Sequence, residues 1–269
     1  MGQFYYFPVV KSTKSEVYRK FLSNQELYHE FQWNGPMDID CPSRYSRGKR
    51  TGGIFMKKAI ICFTRVPRPG QTKTRLMGML SGEQCAELHW AFLKDLNGVY
   101  ATMDADLFVF HTPDPDWAEL KPVFTVAKDF YPQRGEGLGE KMNHALNRVL
   151  ALGYDAVVLT GADLPAMTAA HLQSGFDGLR HADVTLGPTS DGGYYLVGVK
   201  APAPCLFENQ TYGSGSVFDR TAAAAKNAGR TLAPALPCDD VDTPEDLHAL
   251  RLSPDSHTHR YLSKIGVNL

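Results

Sequence analysis

Lys58-Ala59-Ile60-Ile61-Cys62-Phe63 runs without a break into Thr64-Arg65-Val66-Pro67-Arg68-Pro69-Gly70-Gln71-Thr72-Lys73-Thr74-Arg75-Leu76. The first six residues read as a buried strand. Beyond the loop, Ser81 with Gln84 forms a capping box, and Cys85, Leu88, Phe92, Leu96 and Val99 recur at helical spacing. A strand, a loop and a helix in that order open an α/β pattern, and such sheets bind ligands beyond the carboxyl ends of their strands. Arg65, Arg68, Lys73 and Arg75 put four cations into this first loop. Clustered cations beside free backbone N–H groups suit a polyphosphate. A solvated basic loop would have the same charge, but Pro67, Pro69 and Gly70 stiffen this one, and a stiff loop costs less to order around a ligand. It is not a P-loop. Thr72 stands where that motif needs glycine directly before Lys-Ser/Thr, and no glycine lies five residues earlier.

The alternation continues along the chain. Asp106–His111 reads as a second strand and residues 123–127 as a third. A helix from about Gly139 carries Met142, Ala145, Leu146 and Val149 on one face and stops at Gly153. Residues 156–160 form a continuous apolar run, as expected of a strand covered on both faces. Thr168 caps a further helix. Residues 183–186 and 194–199 are strands separated by the glycine-rich turn Gly187–Gly193. Residues 217–228 read as a helix, 232–236 as a short strand, and Thr243-Pro244 as a helix N-cap with proline in the first turn. The pattern is one α/β domain with a mixed sheet over residues 56–252, followed by a C-terminal tail over 253–269.

The 269 residues are 43% hydrophobic and 21% charged, with a formal net charge of −1. Such a neutral chain does not suit a general nucleic-acid or membrane-surface binder, so the basic loop points to a small anionic ligand. Five cysteines, without a C-x-x-C pair, suggest neither a disulfide framework nor a zinc site and fit a reducing, cytoplasmic compartment. No apolar run approaches the roughly 20 residues of a membrane span, and the short run over residues 4–10 lacks the features of a signal peptide. Residues 1–55 have no clear periodicity. Met56-Lys57-Lys58 looks like a natural start, and Gly52-Gly53 is compatible with a ribosome-binding sequence just upstream. We expect residues 1–55 to be an over-extended gene start or a mobile appendage.

Three acidic constellations follow strands. Asp163 lies in Gly161-Ala162-Asp163-Leu164-Pro165, directly after the most buried-looking strand, where a ligand crevice would open. It could equally serve the backbone of the turn. Asp239, Asp240 and Asp242 precede the Thr243 cap; acids there are ordinary complements of a helix dipole. Taken together, Asp163 and Asp242 offer two carboxylates from separate loops. With phosphate oxygens, that is how Mg²⁺ or Mn²⁺ is usually held. In Gly187-Pro188-Thr189-Ser190-Asp191-Gly192-Gly193-Tyr194-Tyr195, the glycines alone would make a hairpin, whereas Asp191 could engage an acceptor hydroxyl or act as a general base. Gln133-Arg134-Gly135-Glu136-Gly137-Leu138-Gly139-Glu140 fails the spacing of a dinucleotide loop, and Gly137 is either a base or ribose contact or a plain helix entry. The histidines are too dispersed for a metal site or a catalytic triad.

In this order, these segments resemble the bacterial DUF2064 family of glycosyltransferase-like proteins, within the nucleotide-diphospho-sugar transferase superfamily. The resemblance runs from about Met56 to Leu250. It rests on R-x-P-x-P-G-x-x-K-T-R-L at Arg65–Leu76, on Gln133–Glu140, on G-A-D-L-P at Gly161–Pro165, on D-G-G-Y-Y at Asp191–Tyr195 and on the acidic stretch Asp240–Leu247. It implies a single Rossmann-like GT-A domain, with a mixed, mostly parallel sheet flanked by helices, that binds a nucleotide or nucleotide-sugar together with Mg²⁺ or Mn²⁺. It also implies metal ligands at Asp163 and Asp242. The expected roles are then diphosphate binding by Arg65, Arg68, Lys73 and Arg75, substrate contacts from Gly137, Gly192, Gly193 and Tyr194, and acceptor engagement by Asp191. Nucleotidyltransferases of the superfamily open with a glycine-rich L-x-x-G-x-G-x-R-M loop, which the basic proline loop replaces here. Glycosyl transfer to a small-molecule acceptor is therefore the leading expectation. The alternatives are nucleotidyl transfer with release of pyrophosphate and a non-catalytic nucleotide-binding module.

Overall fold

The apolar run forms strand β1 (Lys58–Thr64), and its side chains alternate between two cores: Ala59, Ile61 and Phe63 on one face, Ile60 and Cys62 on the other. Both faces of the sheet are covered, which is why this strand reads as unbroken apolar sequence. The computed structural model describes residues 56–213 and 215–267. The expectation for residues 1–55 lies outside the described residues.

The sheet has seven strands in the order β3-β2-β1-β4-β6-β5-β7. The others are β2 (Asp106–His111), β3 (Ala127–Pro132), β4 (Ala156–Thr160), β5 (Val184–Pro188), β6 (Tyr194–Val199) and β7 (Leu232–Pro234). Only β6 runs against its neighbours β4 and β5; the remaining pairs are parallel. Helices α1 (Gly82–Ala101) and α3 (Ala169–His181) cover one face through Leu93, Leu96, Leu172 and Phe176. Helices α2 (Leu138–Leu150) and α4 (Val217–Asn227) cover the other through Met142, Leu146, Val149 and Ala225. The mixed, mostly parallel α/β sandwich is the architecture expected from the sequence.

A third core, off the sheet, positions the basic loop. Leu76 and Leu80 from that loop pack with Cys85, Leu88 and Phe92 of α1, and with Val241, Leu247, Leu250 and Leu262. The last four come from the loop before α5 (Pro244–Ala249), from α5 and its end, and from α6 (His257–Lys264). Asp95 of α1 accepts from the N–H groups of His257 at 2.7 Å and Thr258 at 2.9 Å, which fixes the start of α6 against α1. Truncating the fully buried Leu76 to alanine would cost about 2–5 kcal/mol and would loosen the loop from the segment that carries Asp242.

The third strand differs from the expectation. Residues 123–126 form a turn that sinks Phe124 into the core, its N–H donating to Leu120 O at 3.0 Å. Strand β3 follows at Ala127–Pro132, with Lys128 and Asp129 exposed on the sheet edge. An edge strand with one solvated side lacks the apolar continuity that marks the central strands.

Candidate functional site

Strands β1 and β4 are parallel neighbours, with Cys62 opposite Thr160, so the loops that leave their carboxyl ends lie side by side. Between them opens a cleft of about 440 Å³, lined by Arg65, Lys73, Arg75, His89, Asp163 and Asp242. Gly70 takes a positive φ of 72° to turn the loop, and Thr72 Oγ1 accepts from the Arg68 N–H at 2.9 Å. Lys73 then adopts the left-handed conformation, φ 52°, uncommon for a residue with a side chain, before a single 3-10 turn at Thr74–Leu76 buries Leu76. This backbone sends the Lys73 side chain inward.

The Lys73 ammonium, only 3% exposed, is paired with the Asp163 carboxylate, lies 3.2 Å from Asp242 Oδ1 and donates to Val241 O at 2.5 Å. Arg75 Nη1 stands 3.4 Å from the other oxygen of Asp242. The side chains of Asp163 and Asp242 are 44% and 38% exposed, so both face the cleft while meeting on one cation. Asp242 is held by the entry to α5, where Asp246 Oδ2 accepts from the N–H groups of Asp242 at 3.2 Å and Thr243 at 2.9 Å. Burial pushes the Asp163 carboxyl up, but the charge and hydrogen bond of Lys73, together with smaller contributions from His89 and Arg65, outweigh it and leave its pKa below the ordinary value. Asp240 shows the opposite balance. Burial, then the charges of Asp242 and Asp191, push it up to about 6.

His89 projects into the same corner from α1. Its Nδ1 is 3.4 Å from Asp163 Oδ1, yet neither ring nitrogen has a hydrogen-bond partner. Burial lowers its pKa to about 4, so the imidazole is neutral at pH 7. The sequence signal was there: a histidine four residues after Cys85 and three before Phe92 falls on the buried stripe of α1. Gln133 is also part of the cleft wall. Its side-chain N–H groups donate to Thr64 O at 3.2 Å and Phe110 O at 3.0 Å, stitching together the ends of β1 and β2.

The donor set suits a hard divalent ion. Two carboxylates from separate loops converge on one cation position and face open cleft, and a third acid, Asp240, stands near enough that the Asp242 charge adds to burial in raising its carboxyl. Mg²⁺ commonly takes one or two carboxylates and completes its shell with water and phosphate oxygens. Among the described residues, no group of three or more His, Cys, Asp or Glu side chains is placed to share an ion.

The other expected residues lie elsewhere. Arg68 does not line the cleft; its guanidinium is taken by Glu119 at 3.0 Å, Asp116 at 3.1 Å and Asp114 at 3.2 Å. Gly137 caps α2, next to Leu138 in the cleft wall. Asp191 folds its carboxylate into the hairpin turn, where Oδ1 accepts from Thr189 Oγ1 at 2.5 Å and the Gly193 N–H at 3.0 Å. A Cβ at Gly192 would collide with the carbonyl of Gly215, and φ there is +87°, so this glycine lets two loops touch. The Tyr194 hydroxyl is buried with those of Tyr212 and Thr221, on the face covered by α2 and α4.

Comparison with known proteins agrees with this frame. The model of the family described as "Uncharacterized protein conserved in bacteria (DUF2064)" matches residues 96–214, a span that includes Asp163 and Asp191 but neither the basic loop nor Asp242. A crystal structure from Desulfovibrio desulfuricans G20, provisionally assigned as a nucleotide-diphospho-sugar transferase, is 32% identical. It aligns over 78% of this chain and 95% of its own, with a TM-score of 0.72. The 2-phospho-L-lactate guanylyltransferase of Methanothermobacter thermautotrophicus is 27% identical over 209 residues, 74% of this chain and 88% of that protein. The phosphoenolpyruvate guanylyltransferase of Sphaerobacter thermophilus is 27% identical over 195 residues, 71% of this chain and 91% of that protein. With the family model and the 32% identical structure in agreement, the chain belongs to the DUF2064 family.

Proposed function

We propose that the protein is a metal-dependent nucleotidyltransferase that joins the nucleoside monophosphate part of a nucleoside triphosphate to a small anionic acceptor and releases pyrophosphate. The observation that carries this reading is the meeting of Arg65, Lys73 and Arg75 with Asp163 and Asp242 in one cleft at the ends of β1 and β4. The relatives named as guanylyltransferases support nucleotidyl transfer over the glycosyl transfer that the first loop suggested.

In this reading, the acceptor oxygen attacks the α-phosphorus, a new P–O bond forms and the bond to the β-phosphate oxygen breaks. Arg65, Lys73 and Arg75 bind the β- and γ-phosphates and stabilise the charge that gathers on the departing pyrophosphate. Asp163 and Asp242 hold the metal, and Mg²⁺ or Mn²⁺ bound there supplies neutralisation of the phosphate oxygens. His89, buried and neutral, shields the inner side of Asp163 from water. Asp191 serves the acceptor side, at the hairpin whose Ser190 N–H donates to Asp239 Oδ1 at 2.6 Å.

A second reading, glycosyl transfer, is favoured by the 32% identical structure assigned to nucleotide-sugar chemistry. The products separate the two. With GTP, Mn²⁺ and either 2-phospho-L-lactate or phosphoenolpyruvate as trial acceptor, nucleotidyl transfer yields pyrophosphate. Release of intact nucleoside diphosphate from a nucleotide-sugar, with no pyrophosphate from GTP, would replace the first reading with the second.

A further inference from the structure

We infer that Lys73 is the resident counter-ion of the metal site, so that the divalent ion enters together with the nucleotide rather than before it. The inference rests on the nucleotidyltransferase reading and adds an order of binding to it. An ammonium has three donors, and three acceptors surround this one: the Asp163 carboxylate, Asp242 Oδ1 and Val241 O. The side chain is 3% exposed, with the Phe92 ring centroid 5.6 Å from Nζ. Lys73 is thus fully bonded at the point where the two carboxylates converge. Its left-handed backbone, braced by the buried Leu76 just beyond, holds it there.

A divalent ion seeks the same carboxylate oxygens, and two cations cannot share one such position against their mutual repulsion. A metal arriving alone would have to expel a buried ammonium that then has no acceptor. Triphosphate oxygens supply that acceptor. The ammonium can swing from the carboxylates to phosphate while the vacated oxygens take the metal, so each ligand makes room for the other. Lys73 is then a positioning residue for the metal and a binding residue for the phosphates.

The test is calorimetric titration of MnCl₂ into the nucleotide-free protein. Lys73→Met should bind Mn²⁺ at least about tenfold more tightly than the parent, and adding Asp163→Asn to it should remove the gain. Equal or weaker Mn²⁺ binding in a variant with a native circular-dichroism spectrum overturns the inference, because the metal would then sit on the outer carboxylate oxygens without disturbing Lys73. A second measurement needs no substitution. In the parent protein, acetylation of Lys73 by acetic anhydride, read by mass spectrometry, should be low, should rise when Mn²⁺ alone is saturating, and should fall again on addition of GTP. Labelling that ignores Mn²⁺ also overturns it. If Mn²⁺ and GTP still bind together and pyrophosphate is still released, only the counter-ion role is lost. If neither protein binds Mn²⁺ with or without GTP, the functional reading falls as well.

Discussion

The backbone N–H of Val241 donates to the carbonyl of Asp163 at 2.9 Å, tying the loop after β4 to the loop before α5. This bond sets the spacing of the Asp163 and Asp242 carboxylates independently of their charge. Asp163→Asn and Asp242→Asn should therefore keep the fold and lose no more than about 1–2 kcal/mol of stability, since both side chains are partly solvated. Each should weaken Mn²⁺-dependent GTP binding and pyrophosphate release by at least about a hundredfold. Undiminished Mn²⁺-dependent binding in calorimetry would remove these acids from the metal site.

Arg65 and Arg75 are exposed and line the cleft, so they are expected to act on the nucleotide and not on the fold. Arg65→Ala and Arg75→Ala should each weaken GTP binding by about 1.5–3 kcal/mol, the scale of a charge-assisted hydrogen bond. Guanosine, which has no phosphate, should bind variant and parent alike. An equal loss for both ligands would mean that the loop itself had shifted.

Arg68 gives the opposite pattern. Its three carboxylate partners lie at the surface between β2 and β3, so Arg68→Ala should lower stability only slightly. The KM for GTP should change by less than about twofold. A large rise in KM at unchanged stability would return Arg68 to the phosphate site.

The contrast between Arg68 and Lys73 marks what was legible in the sequence. The alternation of strands and helices, the capping box at Ser81, the N-cap at Thr243 and the acids after β4 and before α5 all follow from local pattern, and the structure carries them. Which cation of one short loop turns inward does not. Lys73 is drawn in because Leu76, three residues on, is buried against α1 and α5, and Arg68 is held out by acids 46 to 51 residues away. Both are tertiary effects. His89 escaped notice for a related reason: periodicity scores a histidine as polar, whereas its meaning comes from Asp163, which another loop brings beside it.

The buried His89 also predicts a pH response in the metal-free protein. Its folded pKa is about 4 against 6.5 when unfolded, so between these values the unfolded chain binds the extra proton. Stability is then full above pH 6.5 and falls as the pH drops toward 4, by about 3 kcal/mol in all. Denaturant titrations in the presence of a chelator, from pH 7 to 4, should show this slope in the parent, and His89→Leu should flatten it. An equally steep loss in the variant would assign the acid sensitivity to other groups.

Asp191 separates a turn from a catalytic role, because its two possible duties respond differently to substitution. One oxygen already accepts from Thr189 Oγ1 and the Gly193 N–H. The carbonyl oxygen of asparagine can accept both bonds, so Asp191→Asn should cost less than about 1 kcal/mol of stability, whereas Asp191→Ala should cost about 1–3 kcal/mol. The charge matters separately. Asp191 helps to raise the Asp240 carboxyl, so its removal should bring that pKa down from about 6, a change NMR titration can follow. If the carboxylate engages the acceptor, Asp191→Asn should keep GTP and Mn²⁺ affinity but slow transfer by about two to four orders of magnitude. Normal turnover in Asp191→Asn with impaired turnover in Asp191→Ala would make Asp191 a turn residue, and acceptor binding would then have to be sought along the wall formed by Gln133 and Leu138.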